Sequence, residues 1–438
     1  MLHLQRALSL RFLVAATALG TALLLTACGG GGSSSSTPAP TTPSYNTDLS
    51  AISPGDNTNL GGVSGLPTAT GNNVVAINIR QFPSNTATLT ANSPYVSVTV
   101  CKPSTSTCQT VPNVMVDTGS AGLRLFYSAL NSSMLTALPT ISTSGETLAA
   151  CAQFASGYAW GSMRRASVQI GGEATTSSIP VQVMNDSTLP AAPSACTSQG
   201  GADFANNFST IANGILGISN FVHDCGAACT SNPSNSVYFA CSGGTCTPST
   251  AALTQQGINP IAKFATDNNG SILALPGVPL PNGAASAAGA LIFGINTEAN
   301  NALSSGQIYP LDATGNLRMT VNGTTESGFV DSGSNGYYLN LMGVPTCSQT
   351  SSFYCPSSAF SLSASLESSS GTWGTAQTIV IGNALSMFQT QNTALPALAG
   401  TSAIPGLVDL GLPFFYGRSI ATGLENTSAL APNGYLAY

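Results

Sequence analysis

Apolar residues along this chain fall in short alternating runs that close on glycine or asparagine. "SVQIGG" (167–172) and "TIVIGN" (378–383) each set isoleucine or valine at every second position before a glycine turn, the period-2 pattern of half-buried strands. "NVMVDTGSAG" (113–122) and "SGFVDSGSNG" (327–336) place two apolar residues, then an aspartate, then a small hydroxyl residue, a glycine and a serine. Each reads as a buried strand that turns sharply at its end. Short runs of Val, Ile, Thr and Tyr broken by Gly, Pro and Asn continue through the chain, so the predicted structure is β throughout, without long amphipathic helices.

The two aspartate turns sit in a common order of elements. Asp117 is followed by the strand ending at Ile170 and then by "NGILGISNF", which carries Gly217. Asp331 is followed by the strand ending at Ile381 and then by "VDLGLPFF", which carries Gly411. One D-[TS]-G-S is an ordinary turn signal. Two copies in the same order predict a duplicated β domain. A length of 438 residues leaves room for both halves, because single cores stop growing at roughly 250–300 residues.

Composition narrows the chemistry. Charged residues are 6% of the chain and its formal net charge is −6. Apart from Arg164-Arg165 there is no basic stripe, which disfavours nucleic-acid binding, where phosphate neutralisation supplies most of the affinity. The two histidines are His3 and His223. His223, expected on a surface loop, has no sequence cue for a Ser-His-Asp or Cys-His mechanism, and no zinc-protease, nucleophile-elbow or phosphate-loop motif is present. No cofactor and no metal are expected, and the carboxylates remain as candidates.

The N-terminus bears on location. Arg6 and Arg11 precede an apolar run from Phe12 to Leu25, which ends in "LTAC". This is the pattern of an export signal, and "LTAC" is similar to a bacterial lipobox, with Cys28 the lipidated first residue of the mature chain. A low-complexity tether, "GGGGSSSSTPAPTTPS", follows. The expected location is the periplasmic side or the surface of the bacterial envelope. Of 11 cysteines, those other than Cys28 are even in number, as suits disulfides in an oxidising compartment. Nearest-neighbour pairing joins 101 with 108, 225 with 229, 241 with 246 and 347 with 355, leaving 151 for 196. Sequence alone leaves this connectivity open, together with a zinc reading of Cys225, Cys229, Cys241 and Cys246.

If the matching turns meet, Asp117 and Asp331 hold one proton between them, since two adjacent carboxylates cannot both ionise cheaply. The charged one can take a proton from water while the neutral one donates to a carbonyl oxygen. Gly119 and Gly333 allow close approach and offer amides, Thr118 and Ser332 can bond across to the facing loop, and Ser120 and Ser334 are placed for the outer carboxylate oxygens.

These residues resemble the pepsin-like aspartic endopeptidases from about residue 74 to the C-terminus. "VMVDTGSAGL" and "GFVDSGSNG" are similar to the family's two catalytic motifs, "NGILGI" and "LGLPFFYGR" to the segments that accompany them, and "YAWGSM" (158–163) to its flap. The resemblance implies an all-β, bilobal double β-barrel with a central cleft and a pseudo-twofold internal repeat. It gives Asp117 and Asp331 the catalytic roles, and Tyr158, with Trp160 and Gly161, the role of closing over an extended peptide or protein substrate.

The implied division is residues 1–27 as signal, 28–73 as anchored tether and extended segment, 74–281 as the lobe of Asp117 and the flap, and 282–438 as the lobe of Asp331. Arg124 stands where the family usually has a tryptophan that orients the flap tyrosine; a guanidinium there either favours the ionised dyad or pairs with another acid. Asp409 interrupts an apolar position, and 222–250 reads as a cysteine-stapled insertion. Tyr337, Tyr338, Phe414 and Phe415 read as core or cleft wall, and Trp160 as flap tip or core. The expected protein is a monomeric aspartic endopeptidase at the envelope. The alternative is a catalytically silent binding or structural lipoprotein of the same fold, and a carbohydrate hydrolase is weaker, because glycosidase carboxylates stand farther apart.

Overall fold

The computed structural model describes residues 45–49, 71–83, 89–198, 200–303, 308–371 and 374–438; the expected signal, Cys28 and the low-complexity tether lie outside the described residues. Most regular structure is strand, arranged among the described residues as an 18-stranded sheet and a 7-stranded sheet. The alternation seen in sequence becomes an inside and an outside. In Phe360–Glu367, Phe360, Leu362, Ala364 and Leu366 are buried while the intervening residues are more exposed, as period 2 requires. Strands such as Ala121–Phe126 and Ile179–Met184 are buried at every position because other layers cover both faces.

Helices are short. The α-helices Ser132–Ala137 and Ala384–Gln389 carry no acidic residue in the first turn and no basic residue in the last. Each begins at an asparagine: Asn131 accepts from the Met134 amide at 2.8 Å, and Asn383 from the Ser386 amide at 3.0 Å. A neutral side-chain cap of this kind satisfies an otherwise orphaned N–H, so a chain poor in charge can still start its helices.

The path of the chain sets the frame for the turns. Strands from Val74–Ile79 to Ile308–Pro310 belong to the larger sheet, those from Leu317–Val321 to Leu407–Leu410 to the smaller. The chain then returns to the larger sheet. There Ser419–Gly423 pairs with Gly270–Ala274, and Tyr435–Ala437 with Ile308–Pro310. One apolar cluster runs through both sheets and includes Val116, Leu216, Val330, Leu410 and Leu436.

Five disulfides close the pairs Cys101–Cys108, Cys151–Cys196, Cys225–Cys229, Cys241–Cys246 and Cys347–Cys355. This is the nearest-neighbour pattern, and it takes all four cysteines of the zinc reading into disulfides. Disulfides in this number suit an exported protein. No helix among the described residues is long and apolar enough to cross a membrane. The segment 222–250 is built into the fold: its strand Tyr238–Ser242 pairs with Glu146–Phe154 and so widens the sheet that carries the hairpin described below. His223, expected at the surface, is half-buried and bridges to Ile258.

Candidate active site

Each aspartate turn is formed by the same local pairing. Cys108–Asp117 runs parallel to Gly214–Ile218, and Ala121–Phe126 lies antiparallel on the other side of that strand. In the smaller sheet, Thr324–Val330 runs parallel to Leu407–Leu410, with Tyr337–Tyr338 antiparallel beside it. Glycine is required where the central strand passes beneath each turn. A Cβ on Gly217 would lie 2.8 Å from the Ser120 carbonyl oxygen, and one on Gly411 2.5 Å from that of Ser334. Both glycines were legible in the sequence as matched positions.

The two turns meet and are laced together reciprocally. The Thr118 amide donates to Ser332 Oγ at 3.1 Å and the Ser332 amide to Thr118 Oγ1 at 2.9 Å. Thr118 Oγ1 in turn donates to the Val330 carbonyl at 3.2 Å, and Ser332 Oγ to the Val116 carbonyl at 2.8 Å. Each hydroxyl both accepts and donates, so no buried polar atom in the bridge is left over, and a fully satisfied network of this kind fixes geometry. The Gly119 amide donates to Asp117 Oδ1 and the Gly333 amide to Asp331 Oδ1, both at 2.8 Å. Ser120 donates to Asp117 Oδ2 at 2.5 Å, and Ser334 lies 3.0 Å from Asp331 Oδ2.

The carboxyls are thus brought against each other in a nearly dry place. Asp117 is 3% exposed and Asp331 0%. Burial, then the adjacent Asp117 charge and the hydrogen bond between the two carboxyls, push Asp331 up to about 7. A Cβ on Gly119 would stand 2.6 Å from Asp331 Cγ, and one on Gly333 2.7 Å from Asp117 Oδ1. Gly119→Ala is therefore expected to force the carboxyls apart; the outcome is a drop in any dyad-dependent activity of about a hundred-fold, the cost of a misplacement near 1 Å, read as kcat/KM with the fold checked by circular dichroism.

Beside the dyad runs a cleft of about 460 Å3 whose wall includes Gly333, Ser334, Asn335, Tyr338 and Asp409, with Ala155 and Ser156 at the tip of a hairpin on the other side. The hairpin is Glu146–Phe154 with Gly157–Ile170, paired so that Gln153 faces Tyr158 and Cys151 faces Trp160. That register corrects the expected position of Tyr158. Ala152, Phe154 and Ala159 share the face that packs with cleft-lining Met115 and Phe208. Tyr158 and Trp160 lie on the opposite face, packed with Cys151, Cys196 and Phe239. Trp160 is core, its indole donating to the Pro190 carbonyl at 2.9 Å. Gly161 serves packing, since a Cβ there would fall 2.0 Å from the Val183 carbonyl oxygen. Side chains two apart share a face, so Tyr158 cannot lie on the face that Ala159 and Phe154 turn towards Met115 and Phe208.

Arg124 is paired with another acid rather than with the dyad. It is 2% exposed, holds Asp224 at 3.2 Å and donates to the Ala121 carbonyl at 2.8 Å. Its guanidinium carbon lies 5.8 Å from the centre of the Phe154 ring. The Tyr238 hydroxyl donates to Asp224 Oδ1 at 2.6 Å and accepts from the Gly257 amide at 2.8 Å. Asp224 and Tyr238 were missed in the sequence. A signal existed: in a chain with so few charges, an arginine on an all-apolar strand needs an acid, and Asp224 stands in the cysteine-stapled insertion. Of the aromatic residues read as wall or core, Tyr337, Phe414 and Phe415 are buried and Tyr338 lines the cleft.

The buried acids make stability depend on pH. Desolvation raises Asp331 to about 7 and Asp224 to about 6, the latter despite Arg124 beside it. A folded-state pKa above the unfolded value means the folded chain binds more protons. The associated stability is complete below the ordinary aspartate value and is lost as pH rises through 6 to 7. Asp186 works in the opposite sense. It is buried, but its bonds from Ser162, Thr188 and Arg164 outweigh desolvation and lower it, so its contribution is lost on further acidification. The expected outcome is a melting temperature highest near about pH 4 to 5 and falling towards pH 8, measured by calorimetry across that range. A flat profile would contradict the buried-acid account.

A family model described as "Protein of unknown function (DUF3443)" matches residues 69–438. Among solved structures, an aspartic proteinase from Irpex lacteus is similar at 15% identity with a TM-score of 0.46, over 83% of this chain and 96% of that one. The comparison with curated proteins found no match.

Proposed function

We propose an activity for a chain that belongs to the DUF3443 family: it is an aspartic-type endopeptidase, with Asp117 and Asp331 as the catalytic pair. The observation that carries this reading is the reciprocal lacing of the two turns, which holds two buried carboxyls close against the facing turns beside a cleft. A pair so placed shares one proton and titrates as a unit. Water enters between the carboxyls; the charged one removes a proton from it as its oxygen bonds to the peptide carbonyl carbon, and the protonated one donates to the carbonyl oxygen. Collapse of the tetrahedral diol breaks the C–N bond: the carboxyl protonated in the first step passes its proton to the departing nitrogen, and the other, now ionised, takes a proton from a diol hydroxyl, which leaves the acid product and restores the one-proton pair. No covalent enzyme intermediate forms.

The same reading takes the two sheets with their matched turns as a bilobal, pseudo-twofold double barrel, and the substrate as an extended segment of polypeptide bound along the cleft. Export behind a lipid anchor on Cys28 and a monomeric state belong to the proposal. A second reading, a binding lipoprotein without turnover, is favoured by the position of Tyr158 on the far face of the hairpin.

The deciding experiment incubates purified mature protein with an unfolded, reduced and alkylated protein from pH 3 to 8 and tests a statine-type mimic of the tetrahedral diol. Cleavage that the mimic suppresses is expected. Folded protein that neither cleaves nor binds the mimic at any pH leaves the binding reading.

A further inference from the structure

Asp409 is the third buried carboxylate at this site, and the mechanism does not use it. It lies on the strand Leu407–Leu410, where Val408 and Leu410 point into the core at 0% and 1% exposure. Asp409 therefore points the other way, onto the face it shares with its in-register neighbours Phe329 and Tyr338, and all three line the cleft. The residue is 9% exposed. Its Oδ2 lies 2.6 Å from Ser334 Oγ, and its Oδ1 is buried without a hydrogen-bond partner.

Ser334 makes the proton count explicit. Its hydroxyl oxygen lies 3.0 Å from Asp331 Oδ2 and 2.6 Å from Asp409 Oδ2. A serine carries one hydroxyl proton, so it can donate to only one of them, and the other contact requires a proton on the carboxyl. Three acids, Asp117, Asp331 and Asp409, are therefore clustered beside the cleft with protons as their means of relieving repulsion. The ion pairs among the described residues are Arg124–Asp224, Arg164–Asp186 and Arg318–Glu367, and none includes Asp409.

We propose that Asp409 is a specificity-determining residue that recognises a basic side chain, lysine or arginine, of the bound polypeptide; this rests on the peptidase reading above. A cation is the group that gives Oδ1 a donor and lets Asp409 ionise beside Asp331. The long aliphatic stem of such a side chain lies well against Phe329, Ile404 and Leu407, which share the wall, since lysine and arginine bury their stems while the charged head finds a polar partner. An apolar side chain leaves Oδ1 unpaired, and an acidic one adds repulsion. A site built to bond a polar group discriminates against an analogue lacking it far more than an apolar pocket distinguishes size.

The test maps cleavage sites in an unfolded protein digest by mass spectrometry for the wild type, Asp409→Leu and Asp409→Asn. Matched peptides with lysine or uncharged norleucine at the enriched position are then compared. Wild type is expected to show one position enriched in lysine and arginine and a kcat/KM ratio of about ten- to a hundred-fold in favour of lysine, the range of a charge-assisted hydrogen bond. The ratio should fall to near one in Asp409→Leu. The near-isosteric Asp409→Asn, which keeps the contact to Ser334, should also lose most of it, so a folding defect in the leucine variant does not end the test.

Cleavage without a basic preference, a preference for asparagine or glutamine instead, or a basic preference that survives both substitutions overturns the inference and leaves the peptidase reading standing. If the wild type cleaves nothing, calorimetry of an unstructured lysine-containing peptide against its norleucine counterpart decides separately. Tighter, Asp409-dependent binding of the lysine peptide upholds the recognition site while the peptidase reading fails; equal affinity overturns the site.

Discussion

Asp117→Asn and Asp331→Asn are each expected to lower kcat/KM for peptide hydrolysis by about a thousand-fold or more, the upper part of the range for losing a positioned acid or base. The asparagine amide keeps the size of the carboxyl, and the Gly119 or Gly333 amide retains an oxygen to bond. What disappears is the proton shared by the pair. Because the two groups act as one device, the double variant should be little worse than either single one. Melting temperature gives the control. At neutral pH, Asp331→Asn should melt no lower than wild type, since it removes a carboxyl that burial has already pushed up to about 7. Full activity in either variant would assign hydrolysis to other residues.

Arg124→Met is expected to destabilise the fold by about 3–5 kcal/mol, the cost of breaking a buried ion pair from one side. The loss comes from what remains behind: Asp224, 4% exposed in its side chain, facing the Tyr238 hydroxyl with no cation. The penalty should be smaller at pH 5 than at pH 7.5, because Asp224, already raised to about 6, can then take a proton. Pairing Arg124→Met with Asp224→Leu should recover most of the loss, since apolar replacement of both partners of a buried pair is often neutral. Urea unfolding at both pH values measures all of this. Equal destabilisation in the single and double variants would show that packing of the arginine stem, not charge, is what the site needs. Arg124 also reaches the ring of Phe154 in the hairpin, so the same network ties the disulfide-closed insertion to the edge of the cleft.

Local pattern settled a good deal. Alternation of polar and apolar residues specified strands, because a strand exposes successive side chains to opposite faces whatever lies beyond it. The matched order around Asp117 and Asp331 pointed to equivalent turns, and the spacing of the cysteines offered the pairing that the fold adopts. Gly217 and Gly411 could be matched because each must pass beneath a turn where a Cβ has no room. Contacts between distant segments were not legible in the same way. That Arg124 would find Asp224, that Ser334 would stand between Asp331 and Asp409, and that Tyr158 would face Trp160's side of its hairpin all depend on register between strands far apart in the chain. A shift of one residue in register reverses every side chain on a strand. Local pattern alone determined the kinds of element and the residues able to do acid–base chemistry; the packing of one strand against another decided which of them share a site, because burial and distance, and with them the cost of a charge, exist only once the sheets have come together.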